Sequence, residues 1–302
     1  MRLMYQLVAG LVLLLVAVTV GSKLAEAQND EVMLPEQSAA KARAILQQVI
    51  AKLGGSAYLN VRDSDCTGRL AQLDRNGAMS SFTNYRDTWI LPDKDRKEYL
   101  AKGEHTIAGF LLGIDGLNIY HGGSIVMLFN GGQAWILDKS GVSDQPEDIV
   151  QTFAQGVKSG MDNVLRKRLN DPGLEVRYAG NDLIDLKEAE WIEFTDTDRR
   201  QFRLGLAKFT HLPLRWVVEG RDPKTQERTE TTTTYSQFLQ FDGVLAPVRI
   251  GRAQDGRNLY EIFFDSCKYN SNLSPDLFTR GALEKRSTQT GLKVGKNANP
   301  DN

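Results

Sequence analysis

The chain has 302 residues, 41% hydrophobic and 25% charged, an ordinary globular composition that excludes disordered, collagen-like and coiled-coil classes. Lys+Arg 37 against Asp+Glu 38 gives a formal charge of -1, which leaves no cationic excess for a phosphate backbone and argues against a nucleic-acid partner. Three His and two Cys leave almost no raw material for a zinc or iron–sulfur site, although an all-carboxylate metal site survives this count; no cofactor and no metal are expected.

Arg2 is followed by an apolar run over 7–20 and by Ala25-Glu26-Ala27, the small-x-small pattern of a signal-peptide cleavage site. The run is shorter than the roughly 20 residues that span a bilayer, so residues 1–27 read as a signal peptide rather than an anchor. A periplasmic or secreted protein without a membrane span after cleavage is expected. Residues 28–34 read as a linker, 35–283 as a single domain, and 284–302, polar and without aromatics, as a flexible tail.

Ala42, Ile45, Leu46, Val49 and Leu53 recur at helical spacing before Gly54-Gly55, predicting an amphipathic helix over 35–53. A second helix is predicted over 144–168, with Ile149, Phe153, Val157, Met161, Val164 and Leu165 as its stripe and a basic last turn at 166–168. About ten antiparallel strands account for most of the rest: 66–74, 78–90, 125–129, 134–137, 186–194, 201–209, 214–219, 235–241, 244–250 and 259–269. Asn76-Gly77, Asp242-Gly243 and Asp255-Gly256 supply the positive φ angles of tight hairpin turns. Connections this short cannot make parallel crossovers, and strands this numerous curl. The predicted fold is mainly β with α: an unclosed antiparallel barrel covered by two or three helices.

In strand 201–209, Phe202, Leu204 and Leu206 alternate with Gln201 and Arg203; Leu214, Trp216 and Val218 repeat the pattern. The inner face of such a sheet is a large apolar area that two helices hardly cover. The candidates for lining an apolar cavity are Leu70, Phe82, Trp191, Phe202, Leu204, Leu214 and Trp216 on the strands, with Ile149 and Phe153 on the covering helix. A register slip of one residue would exchange the two faces. Cys66 and Cys267 lie in the first and last predicted strands. In an oxidising compartment they could bond, and as free thiols they would serve as small core residues; the sequence leaves both open.

No Gly-x-Ser-x-Gly, His-Glu-x-x-His, Gly-x-x-x-x-Gly-Lys or Gly-x-Gly-x-x-Gly occurs, His105, His121 and His211 are scattered, and Glu188 and Glu190 fit the solvated edge of a strand. No catalytic residue is assigned. A signal peptide, a helix ending in Leu53-Gly54-Gly55, Gly68-Arg69-Leu70 in the first strand and the closing series Tyr235, Phe241-Asp242-Gly243-Val244, Pro247, Ile250, Asp255-Gly256 together resemble the bacterial outer-membrane lipoprotein-sorting superfamily, whose reference members are the periplasmic lipoprotein carrier and its outer-membrane receptor. The resemblance implies an unclosed barrel with an apolar cavity for acyl chains, and as partners a lipid, an acylated protein or another envelope protein. Residues 103–123 look like an addition to that pattern. The competing expectation is an envelope interaction module whose interior is packed solid by its own side chains.

Overall fold

The structure is a computed structural model and describes residues 33–74, 76–100, 124–222 and 225–289. The expected signal peptide and most of the linker, residues 103–123 with His105 and His121, and 290–302 lie outside the described residues. The chain divides into Met1–Ser38 and Ala39–Asn302. Of the first unit, only the opening of helix α1 (Pro35–Leu53) and the two residues before it are described.

In the second unit α1 continues as predicted and ends at Gly54 and Gly55, both at positive φ. A Cβ on Gly54 would lie 2.4 Å from the carbonyl oxygen of Gly243, so the helix end abuts that turn. A short helix α2 (Ser56–Leu59) follows. Then come β1 (Asp63–Leu73), β2 (Met79–Ile90), β3 (Lys94–Leu100), β4 (Ile125–Asn130), β5 (Gln133–Asp138) and β6 (Gly141–Asp144). A helical strap follows, made of α3 (Glu147–Ser159) and α4 (Met161–Asn163), the latter continuing as a π turn over Val164–Arg168. The chain returns as β7 (Glu175–Ile184), β8 (Lys187–Thr195), β9 (Gln201–Ala207), β10 (Pro213–Arg221), β11 (Arg228–Phe241), β12 (Val244–Gln254) and β13 (Arg257–Tyr269). A 3-10 turn (Pro275–Phe278) and α5 (Arg280–Gln289) close the described chain.

All thirteen strands form one antiparallel sheet in the order β6-β5-β4-β3-β2-β1-β13-β12-β11-β10-β9-β8-β7. Two meanders, β1 to β6 and β7 to β13, are joined edge to edge by the pairing of β1 with β13. The outermost strands β6 and β7 do not pair with each other, so the barrel is unclosed. The α3–α4 connection therefore has to carry the chain from one free edge to the other. At the seam Cys66 pairs with Cys267, and the two are joined by a disulfide across 201 residues of sequence.

The seam has one irregularity, a bulge between Thr67 and Gly68. A Cβ on Gly68 would lie 2.0 Å from the Phe263 carbonyl oxygen and 2.7 Å from the Phe264 Cα, both backbone atoms that cannot rotate away. Gly68→Ala should therefore force the two meanders apart and cost about 1–3 kcal/mol, to be read as a lowered denaturation midpoint in urea.

Thirteen strands replace the expected ten or so. The missed ones are β3, β6 and β7. β3 (Lys-Asp-Arg-Lys-Glu-Tyr-Leu) shows no apolar alternation because charged residues stand on both of its faces, and β6 has only four residues. The predicted helix over 144–168 is broken at Gly160, whose ψ of 136° is extended. Leu186, expected in a strand, sits at φ 62° in the β7–β8 turn after Asp185 at φ 49°, the place that Gly243 and Gly256 fill in the two Asp-Gly turns. Helix α5 is a further correction. It runs to Gln289, six residues past the expected tail boundary, because Leu283 is fully buried against the outer face of β4 and β5 with Phe278, Val126, Leu128, Trp135 and Leu137. Arg286 to Glu98 (2.7 Å) and Arg280 to Asp144 (2.8 Å) pin it there. With β4 covered on both faces, its sequence Ile-Val-Met-Leu-Phe needs no alternation.

Candidate functional site

The inner face of the sheet carries two apolar clusters under different helices. Beneath α1, α2 and α4, the side chains of Ile192, Phe194, Phe202, Leu204, Leu206 and Trp216 meet Ile45, Leu46, Val49, Tyr58 and Leu165. This half is filled. Phe202 and Leu204 are 0% exposed and Trp216 is 2% exposed. Trp216 packs on Phe194 and Phe202 at 5.5 and 5.9 Å between ring centroids, and its indole N–H donates to the Ser159 carbonyl (2.9 Å) at the break of the strap. Tyr58 donates to Asp162 (2.7 Å), and burial raises its phenol well above the usual range.

Under α3 lies the second cluster, with Leu70, Tyr85, Tyr99, Ile125, Met127, Phe129, Ile136 and Ile262 against Ile149 and Val150. Phe153 of α3 stacks on Phe129 at 4.0 Å. Between the two clusters, on β11, β12 and β13, the inward side chains Tyr235, Ile250, Tyr260 and Phe264 are only half-buried. Tyr235 pairs with Ile250, Ile250 with Ile262 and Ile262 with Leu70, so the register lines up a continuous apolar row across four strands. Among the described residues this row, the trough, is less covered than the clusters on either side of it.

Of the nine expected lining residues, Leu70, Ile149 and Phe153 border the trough. Phe202, Leu204 and Trp216 share the inner face but are sealed under α1 and α4. Phe82, Trp191 and Leu214 are corrected. Phe82 pairs with Ala71 rather than Leu70, faces outward at 56% exposure and meets Phe263. Trp191 pairs with Gly205, one step from Leu204, and lies outside beneath Arg203. Leu214 sits beside a register shift in β10, which turns it outward into a small surface cavity of about 240 Å3 with Arg249, Glu261 and Thr234. A one-residue parity error accounts for the first two and a bulge for the third. The sequence reading missed Tyr235, Ile250, Tyr260 and Phe264; the alternation of Tyr260, Ile262 and Phe264 along β13 was the signal that could have found them.

The inner face also holds charge. Asp87 of β2 and Asp95 and Lys97 of β3 point inward with Tyr85 and Tyr99. Lys97 Nζ contacts an oxygen of Asp95 and lies 3.6 Å from Asp87, and the Tyr85 hydroxyl donates to Asp87 (3.1 Å). Burial pushes the Asp95 carboxyl up to about 7, aided by the like charge of Asp87 and opposed by Lys97. Asp87 and Asp95 hold the Lys97 ammonium above its usual range although burial opposes it. An acid whose folded value exceeds its unfolded value near 3.9 removes stability as pH rises between the two. Asp95→Asn should therefore match the natural chain near pH 4 and exceed it in stability above about pH 7, checked by thermal unfolding across that window.

Among the described residues no helix is long and apolar enough to cross a membrane, and no three His, Cys, Asp or Glu side chains are grouped to hold a metal ion. Glu188 and Glu193 are engaged by Lys208 (3.0 Å) and Arg177 (2.8 Å).

No family model and no curated protein matches the chain. Solved structures do. The chain is similar to a DUF1329 family protein from Desulfovibrio piger, with 14% identity and a TM-score of 0.49, over 80% of this chain and 98% of that one. It is similar to a LolA superfamily protein from Nitrosomonas europaea, with 15% identity and a TM-score of 0.46, over 80% and 99%. A third likeness is to a domain from Vibrio parahaemolyticus, provisionally described as an outer membrane lipoprotein-sorting protein, with 14% identity and a TM-score of 0.46, over 82% and 99%.

Proposed function

We propose that this chain is an exported, non-catalytic protein of the cell envelope, periplasmic or secreted, that takes up a hydrophobic ligand by apolar burial. The ligand class is a lipid or the acyl chains of a lipoprotein. One observation carries the reading: the half-buried row of Tyr235, Ile250, Tyr260 and Phe264 between two helix-covered clusters, an apolar floor that the described helices leave without a roof. At about 25 cal/mol per Å2, laying an acyl chain on a few hundred Å2 of such floor supplies several kcal/mol before ordering costs, which suits reversible carriage.

The site is the middle of the inner face, because α1, α2 and α4 cover one side of it and α3 the other. That filled half favours a second reading, an envelope interaction module with no ligand. Organic extraction of the purified protein followed by mass spectrometry separates the two. The carrier reading predicts co-purified lipid and uptake of a fluorescent fatty acid. Absence of both, with one stoichiometric protein recovered from envelope extract, supports the module.

A further inference from the structure

We infer that the outer face of the sheet carries a second site, separate from the trough, that binds a phosphate group: the cavity of about 240 Å3 beside Leu214, with Lys187 and the hydroxyls of Thr234 and Ser236 as the receiving donors. Two glycines and a bulge make the space. Gly205 on β9 faces outward, and a Cβ there would lie 2.4 Å from Cδ1 of Ile184, so the end of β7 rests on bare backbone and the β7–β8 turn brings Asp185 and Lys187 over the sheet. Gly251 on β12 leaves the floor open between its neighbours Thr234 and Glu261; a Cβ there would lie 2.5 Å from the Thr234 hydroxyl oxygen. The register shift in β10 supplies Leu214 as an apolar wall.

The charges around this space do not cancel. Glu261 accepts from Arg249 through both carboxylate oxygens (2.9 and 2.8 Å), and Asp185 accepts from Arg215 (3.2 Å). Lys187 is the third cation, and among the described residues it has no acidic partner; the hydroxyls of Thr234 and Ser236 have no side-chain partner there either. Three cations against two carboxylates leave one positive charge over, and a hollow concentrates its field on whatever enters. Both guanidinium forks, which would match a planar carboxylate, are already taken by carboxylates of this chain. What remains is a point charge on β8 and two hydroxyls on β11, separate donors that suit the several acceptor oxygens of a tetrahedral phosphate. The volume exceeds that of phosphate alone and admits the glycerol of a phosphoglycerol.

The test is calorimetric titration of the full chain with glycerol 3-phosphate at low ionic strength, with glycerol as the uncharged control. Glycerol 3-phosphate should bind saturably and glycerol should not. Lys187 is exposed, so Lys187→Gln leaves the core intact and should weaken binding by roughly tenfold or more, with a smaller loss in Thr234→Val. Vesicles of phosphatidylcholine mixed with phosphatidylglycerol then identify the source: retention of the natural chain above that of Lys187→Gln assigns the phosphate to a lipid headgroup, and equal retention assigns it to a free solute. No saturable binding of glycerol 3-phosphate, or equal binding by Lys187→Gln, overturns the site, and neither result bears on the trough.

Discussion

Replacing Cys66 and Cys267 together by Ala should lower stability by about 5 kcal/mol, the loop-closure value for a bridge across 201 residues. The location makes the effect general. The bridge joins β1 to β13, the one pairing that makes a single sheet of two meanders, and the contact between these strands is the most non-local in the fold. Without it, the unfolded chain regains the freedom of both meanders, and the seam must re-form against that entropy. Thermal unfolding with and without reductant is the measurement; a loss of roughly 10–20 °C is expected, and the double substitution should reproduce it without reductant. An unchanged midpoint would mean that backbone pairing across the seam suffices.

Trp216→Ala should cost about 3–5 kcal/mol and yet leave ligand uptake nearly unchanged in the protein that remains folded. The indole fills the space between Phe194, Phe202 and the strap and satisfies the Ser159 carbonyl, so its removal opens a hole in a sealed core. Phe264→Ala is its counterpart. Half-buried on the trough floor, it should lose under about 2 kcal/mol of stability while weakening fatty-acid uptake by about tenfold. Urea unfolding and a fluorescence titration on both variants give the four numbers. The opposite pattern, with uptake lost in Trp216→Ala and kept in Phe264→Ala, would put the ligand under α1.

Much of the architecture could be read from local signals. The Asp-Gly turns 242–243 and 255–256 fixed two hairpins, the stripe Ala42, Ile45, Leu46, Val49 fixed α1, and strong alternation in β9 and β10 identified one inner face correctly at Phe202, Leu204 and Trp216. The failures were physical. β3 is a strand whose buried charges have partners, Glu98 the distant Arg286 and Asp95 the nearby Lys97; composition alone cannot show that such charges are paired. Phe82 and Trp191 went to the wrong face because alternation gives a period and not its phase, which is set by pairing with Ala71 and Gly205. The division of the inner face into a filled half and a half-open middle depends on where the strap crosses, and that follows from two free edges no local pattern identifies.

Photo-crosslinking with a fatty acid that carries a reactive group along its chain, followed by peptide mapping, tests the trough most directly. The account predicts adducts on peptides containing Tyr235, Ile250 and Tyr260 to Phe264, together with Phe153 of the covering helix. Adducts confined to the outward Phe82 and Phe263, or to the segment around Trp216, would contradict it.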